Sequence, residues 1–209
     1  MKFNVDLHIH TKHSGDNSSE PEDVVIHAIE ADLYGIAFTE HYFYEASEFA
    51  DKLREKYGKD ILIFRGVEFS AADGHCLVFG VNTDRADIRN APMKEVVRVV
   101  NEKGGVVIPT HPFRGGYSIG ERARDLEGIC AVEGYNGYSH YSQNKKAVEM
   151  AEEMCLPYTG GSDAHEAHEV GACYTEFKTE VTYENFVEVL KAGGYTGIDT
   201  RKVSKIWPF

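Results

Sequence analysis

The stretch Phe3–Thr39, FNVDLHIHTKHSGDNSSEPEDVVIHAIEADLYGIAFT, reads as strand, helix and strand in succession. Phe3 to Ile9 alternates apolar and polar side chains with the period of two that a half-buried strand requires. A polar loop, Thr11 to Ser19, follows. Ser19-Glu20-Pro21-Glu22-Asp23 then has the signature of a helix start: a capping serine, an early proline and acids in the first turn. Val24, Ile26 or His27, Ala28 and Leu33 supply the apolar face, Gly35 closes the helix, and Gly35 to Thr39 is a second strand. A strand, a crossover helix and a strand imply a parallel sheet.

The alternation continues outward from that unit. A helix is expected over Ala46 to Tyr57, and a third strand from Ile61-Leu62-Ile63-Phe64 toward Val67-Glu68-Phe69. A fourth strand runs His75 to Gly80, a helix Pro92 to Glu102, and a fifth strand Val106 to Pro109. Ile129 to Val132 is a sixth, Gln143 to Met154 a helix, Tyr158 to Gly160 a seventh strand, and Thr182 to Leu190 the last helix. Seven such units without repeat or linker suggest one domain, 1–209, folded as a closed or nearly closed α/β barrel. Its site would lie at the carboxyl ends of the strands.

Composition narrows the function. Of 209 residues, 42% are hydrophobic and 27% charged, as in ordinary globular proteins, and the length suffices for a core without staples. A net charge of −12 argues against wrapping a long nucleic acid, which needs a basic stripe to displace counterions. It leaves room for a small anionic substrate if bound cations dominate the local field. Cys76, Cys130, Cys155 and Cys173 form no C-x-x-C pair and are expected to be buried free thiols. Asp6, His8 and His10 interrupt the only apolar N-terminal stretch, so no signal peptide is expected. No window approaches the roughly 18 apolar residues of a membrane span, and a cytosolic protein is the expectation.

Histidine and carboxylate recur where the strands end. His8 and His10, two apart, share one face of the first strand; facing outward they would be merely polar, at a barrel mouth a metal pincer. Asp6 precedes them as an orienting or structural residue. Asp16 sits in the loop beyond and competes there with His13. Glu40-His41 follows the second strand and Glu68 ends the third, where each carboxylate oxygen could bind a different ion. His75 begins the fourth strand, the wrong end for the mouth unless that strand runs antiparallel after a hairpin. His111 follows the fifth between two prolines, and Asp163 and His165 follow the seventh. Nine candidates, His8, His10, Asp16, His41, Glu68, His75, His111, Asp163 and His165, suffice for two or three divalent ions. Their mixed nitrogen and oxygen set suits zinc, manganese or iron.

Asp6-Leu7-His8-Ile9-His10-Thr11, Thr39-Glu40-His41, Gly66-Val67-Glu68, Thr110-His111-Pro112 and Gly161-Ser162-Asp163-Ala164-His165 closely resemble the motifs of the PHP (polymerase and histidinol phosphatase) family. The resemblance spans nearly the whole chain. It implies a distorted (β/α)7 barrel, TIM-like, with a trinuclear metal site that hydrolyses phosphate esters. By position, His8, His10, Glu68 and Asp163 would hold one ion, Glu68 would bridge to a second on His75 and His111, and Asp16, His41 and His165 would hold the third. Some family members have histidine where Asp16 stands, and often aspartate where Glu40 stands. Glu133, in Glu133-Gly134-Tyr135-Asn136-Gly137, reads as pocket wall rather than ligand.

Within that resemblance a phosphatase on a small phosphomonoester is the leading expectation, because the chain leaves no room for a separate nucleic-acid-binding domain. A metal-bridging hydroxide would be the nucleophile, with catalysis depending on Glu68, Asp163 and His165. A metal-bound histidine is a poor acid, so the proton donor to the leaving oxygen stays open. Arg114 is the candidate phosphate-binding side chain, ahead of Lys12, Arg122 and Arg124. His27 and His140 read as structural and His168 as surface. The tyrosines between Tyr135 and Tyr141 could stack on a base, or simply pack. Rival readings are a nuclease on nucleotides or short oligonucleotides, a non-catalytic RNA-binding scaffold, and an amide hydrolase. The last would want a carbamylated lysine, and no lysine follows the corresponding strand.

Overall fold

The computed structural model describes residues 2–85 and 88–201. The aromatic C-terminal tail, Ile206-Trp207-Pro208-Phe209, lies outside them. Among the described residues there are nine strands: β1 (Phe3–Ile9), β2 (Gly35–Phe38), β3 (Leu62–Ala71), β4 (Gly74–Phe79), β5 (Val106–Pro109), β6 (Val132–Asn136), β7 (Tyr158–Gly161), β8 (Cys173–Phe177) and β9 (Tyr195–Asp199). Five helices accompany them: α1 (Pro21–Glu30), α2 (Phe49–Tyr57), α3 (Met93–Glu102), α4 (Tyr141–Glu153) and α5 (Phe186–Ala192).

Seven strands form a curled sheet in the order β5-β4-β3-β2-β1-β8-β9, and β6 pairs with β7 separately. The pair closes the open side of the curl. Cys130 N–H, just before β6, reaches Val107 O at 3.4 Å on β5. Beyond β7, Asp163 N–H donates to His8 O at 2.7 Å and His10 N–H to Ala164 O at 3.0 Å. The ring β1 to β7 is therefore a distorted TIM-like α/β barrel in one domain, as expected. β1 shares its free edge between β8 at its start and the segment after β7, at Ala164, at its end.

The fourth strand resolves the difficulty with His75. β3 and β4 form an antiparallel hairpin, Ser70 opposite His75, so His75 stands at the mouth rather than the floor. The expected sixth strand, Ile129–Val132, shares one residue with the observed β6. Ile129 and Ala131 are buried lead-in, and pairing starts at Val132 because the polar Glu133 and Asn136 are themselves buried. β8 and β9 were not anticipated. They are five-residue antiparallel strands outside the helix alternation, and a glycine interrupts β9.

Ser19 is not the α1 cap. Its hydroxyl donates to His165 O at 3.0 Å, tying the first loop to the last motif, while Glu20 occupies the cap position with no side-chain bond. Helix α5 begins four residues later than expected, after an Asn185–Thr182 turn. Phe186 from it stacks on Phe64 with centroids 4.1 Å apart, within the apolar cluster of Val5, Leu7, Phe79 and Ile108. The thiols Cys76 and Cys173 are buried, but Cys155 is exposed, against expectation. No helix among the described residues is long and apolar enough to cross a membrane.

Candidate metal centre

Glu68 lies at the middle of the mouth, buried, with its two oxygens facing different histidines. Oε2 stands 3.0 Å from His41 Nδ1, 3.4 Å from His10 Nε2 and 3.6 Å from His8 Nε2. Oε1 stands 2.9 Å from His111 Nε2 and 3.2 Å from His75 Nδ1, and accepts from Thr110 Oγ1 at 3.2 Å. Strand ends bring these groups together: β1 supplies His8 and ends just before His10, β3 supplies Glu68, and β4 supplies His75.

Donor atoms converge in three groups, each within 4.8 Å: His8, His10 and Glu68; Glu68, His75 and His111; Asp16, His41 and His165. Asp163 Oδ1 adjoins the first, 3.4 Å from His8 Nε2 and 3.2 Å from His10 Nε2. Asp16 Oδ2 lies 2.9 Å from His41 Nε2 and 3.3 Å from His165 Nε2. His13 turns away and stacks on Phe49, so Asp16 and not His13 faces the cluster.

Hydrogen bonds on the far sides of the rings fix which nitrogens are bare. His8 Nδ1 is 2.8 Å from Glu133 Oε1, an acceptor only, so Nδ1 carries the proton and Nε2 is a lone pair when the ring is neutral. Ser14 donates its hydroxyl proton to Glu40, and its oxygen must then accept from His10 Nδ1 at 3.0 Å. His165 Nδ1 likewise donates to Asp163 O at 2.8 Å. The bare nitrogens of His8 and His10 thus face each other at 3.0 Å with carboxylate oxygens beside them. Lone pairs opposed in this way repel unless a cation or extra protons lie among them. A tetrahedral ion with bonds of about 2.0–2.1 Å needs its donors about 3.3–3.4 Å apart, close to the 3.0–3.6 Å observed here. The residues present fit a metal. His111 adds a buried Nδ1 without a hydrogen-bond partner among the described residues.

Electrostatics carry the same mark. Burial disfavours the His8 imidazolium, but the carboxylates of Asp163, Glu133 and Glu68 outweigh it and hold the ring's pKa well above the ordinary value. For His10, hydrogen bonds to Asp163 and Glu68 overcome burial and raise the pKa to about 9. Burial works against the Glu68 and Asp163 carboxylates too, yet the His8 charge and the bond from His10 keep both well below the usual range. Asp16 is lowered, its partial burial outweighed by His41 and His165.

Glu40 stands behind the donors as an outer residue, as expected, and Asp6 is structural, whereas Glu133, Asn136 and Ser14 support the donors without a readable sequence signal. Glu133 is more than pocket wall: besides orienting His8 it accepts from His111 N–H at 2.7 Å and from Asn136 Nδ2 at 3.1 Å. Asn136 Nδ2 also donates to Asp163 Oδ2 at 3.0 Å. Ser14 accepts from His41 N–H at 3.1 Å, and Glu40 accepts from the Thr11 hydroxyl at 2.7 Å. Asp6 touches no imidazole; it accepts the N–H groups of Ser162, Gly171 and His8, and burial pushes its pKa up to about 6. Backbone φ values of +27° at His111 and +54° at Asp163 put both in a region costly for side-chain-bearing residues.

Arg114 reaches into the centre, pairing with Asp163 Oδ2 and donating from Nη2 to His111 Nε2 at 2.9 Å. Lys12, Arg122 and Arg124 are engaged elsewhere, with Glu20, with Asp73 O, and with Glu121 and Glu153. Tyr138 lies 5.0 Å from the His165 ring, whereas Tyr135 packs on Tyr158. His27 and His168 sit beside surface glutamates, and His140 caps α4.

Residues 6–105 match the PHP domain, and residues 142–195 match the PHP-associated region. This chain belongs to the PHP family. An uncharacterized protein of Methanocaldococcus jannaschii is 28% identical over 145 residues, 64% of this PHP chain and 82% of its own length. PsfC from Pseudomonas syringae superposes with a TM-score of 0.71 at 19% identity, covering 95% of this PHP chain and 92% of PsfC. A candidate metal-dependent phosphoesterase from Bifidobacterium adolescentis gives 0.65 at 18%, covering 90% and 96%. An amidohydrolase from Chromobacterium violaceum gives 0.61 at 16%, covering 80% and 90%. These structural likenesses establish the PHP fold and nothing finer.

Proposed function

We propose that this PHP protein hydrolyses phosphate esters with two or three divalent transition-metal ions, and that its substrate is a small phosphomonoester. The observation that carries the reading is the division of Glu68, one oxygen toward His8, His10 and His41 and the other toward His75 and His111. His8, His10, Asp163 and Glu68 would hold one ion, Glu68, His75 and His111 a second, and Asp16, His41 and His165 a third. Bound divalent ions supply Lewis acidity, lowering the pKa of water toward neutrality and offsetting phosphoryl charge.

The chain's own residues do the rest. Glu133 and Ser14 hold His8 and His10 as the tautomers whose bare Nε2 faces inward. Arg114, partly exposed at the mouth, offers a planar fork to phosphoryl oxygens. No serine or cysteine nucleophile enters.

The test is metal content by elemental analysis on protein purified without chelator, paired with phosphate release from a panel of phosphomonoesters and short oligonucleotides. Two or three equivalents of metal with monoester turnover is the expected result. Turnover of oligonucleotides alone would replace the monoester with a diester substrate. Protein that stays metal-free after incubation with manganese or zinc would overturn the reading.

A further inference from the structure

A cavity of about 300 Å³ opens beside the centre, lined by Tyr42, Phe43, Phe69, Thr83 and Arg89. Its position follows from the backbone. Tyr42 succeeds His41, its ring 5.6 Å from that imidazole, and its N–H bonds Glu68 O at 3.3 Å. Ser70, also in the lining, lies opposite His75 in the hairpin. The cavity is thus lined by the chain neighbours of His41 and Glu68 and the ladder partner of His75, rather than by those side chains themselves. Its volume is at the small end of ligand pockets, enough for one ring with a substituent.

The lining specifies a chemistry. Tyr42 and Phe43 are 58% and 49% exposed, wide for large aromatic rings, and Phe69 forms an apolar wall. The Arg89 guanidinium lies 5.9 Å over the Phe43 ring, bringing a positive charge to the same place. Asp84, the carboxylate in the lining among the described residues, accepts the N–H groups of Tyr44 at 3.3 Å and Glu45 at 3.1 Å. That commitment leaves it poorly disposed to a ligand cation. Thr83 is buried, and its hydroxyl has no hydrogen-bond partner among the described residues. A buried hydroxyl in a cavity wall with no partner among the described residues is a hydrogen-bonding group that a ligand would satisfy.

We propose that this cavity receives the leaving-group half of the substrate, and that this half is a planar ring bearing an anionic substituent. The inference rests on the phosphoesterase reading. With the phosphoryl group at Glu68, the ring would lie against Tyr42, Phe43 and Phe69 and its anion would face Arg89. Aromatic contact tolerates many rings, so the charge is the sharper discriminator.

Two measurements test it. In turnover, 4-carboxyphenyl phosphate should exceed phenyl phosphate in kcat/KM by about tenfold, and 4-(aminomethyl)phenyl phosphate should fall below both, consistent with one charge-assisted contact. In binding, followed calorimetrically on the metal-loaded protein, 4-carboxybenzyl phosphonate should bind about tenfold tighter than benzyl phosphonate. In the Arg89→Gln protein both ratios should collapse toward one. Equal handling of the charged and neutral rings by the native protein, or a carboxylate preference that survives Arg89→Gln, would overturn the proposal. Failure to hydrolyse any ester while the phosphonate preference persists would count against the phosphoesterase reading and leave the cavity assignment supported.

Discussion

Arg114 Nη2 donates to His111 Nε2 across 2.9 Å, so a guanidinium holds the lone pair that a cation shared by Glu68, His75 and His111 would use. One lone pair serves one partner. Loading that group must therefore displace Arg114 from His111. Breaking a hydrogen bond to a charged donor costs about 1.5–3 kcal/mol, so Arg114→Ala should tighten binding of manganese or zinc by about tenfold or more. Calorimetric titration of the metal-free protein measures it directly. The same variant should raise the KM for a phosphomonoester, because the freed guanidinium faces the substrate. Identical metal affinities in the two proteins would show that the contact with His111 does not compete.

Glu68→Gln preserves shape and removes the charge that five imidazoles surround. An amide offers one oxygen, so it cannot serve both sides of the centre. Metal content should fall by at least one equivalent and phosphate release should disappear, with the circular dichroism of the fold retained. Unchanged metal stoichiometry with full turnover would exclude a bridging role for this side chain.

Glu133→Gln tests the support beneath the donors. The carboxylate accepts three donors, from His8, His111 and Asn136. Glutamine turns an NH₂ group toward at least one of them, and His8 loses its reason to keep Nε2 bare. Disturbing such partners typically weakens metal affinity about 10- to 100-fold. A loss confined to kcat, with metal affinity intact, would instead point to a role after metal binding.

The sequence carried the candidate donors because all but Asp16, which sits in the first loop, lie at or just beyond a strand end, and period-two spacing at His8 and His10 or at Asp163 and His165 is a local property. It also carried the hairpin alternative that puts His75 at the mouth. Glu133, Asn136 and Ser14 were not legible as supports, since their meaning lies in which distant ring nitrogen they meet. Whether a polar residue faces His8 across 125 positions of chain is fixed by the closure of β6 and β7 onto β1. β8 and β9 escaped for a related reason: short alternating antiparallel strands do not announce themselves against the helix-linked pattern around them. The orientation of Arg114 could be guessed from its distance to His111, but its pairing with Asp163 required the fold.

Gly161 is a packing test at the seam between β1 and β7. A Cβ there would come within 2.4 Å of His8 Cβ and 3.0 Å of His8 N, both on a buried strand with no room to shift. Overpacking of this kind costs about 1–3 kcal/mol. Gly161→Ala should lower the thermal midpoint and also weaken metal binding, because relief of the clash moves His8. A variant of native stability would mean that the seam is looser than the contact distances imply.

The raised histidines set the pH behaviour of the metal-free protein. His10 has a folded pKa of about 9, and His8 is also raised, against an ordinary value near 6.5. Where the folded state binds the extra protons, stability declines as pH rises. Their contribution is thus fully present below about pH 6.5 and is lost as pH climbs through the folded value. Asp6, raised to about 6, also loses stability as pH rises through that value, so a scan from about pH 7.5 to 9.5 reads the histidines with Asp6 already ionised. The lowered carboxylates of Glu68 and Asp163 act at the other end, where their contribution disappears as pH falls through and below the usual carboxylate range. Bound metal requires neutral imidazoles, so loading should release protons and metal affinity should rise across the range in which the metal-free fold weakens. Thermal midpoints of chelator-treated protein give the first slope and metal titrations at three pH values give the second. A flat stability profile, or metal affinity independent of pH, would mean that His8 and His10 are already neutral in the metal-free protein.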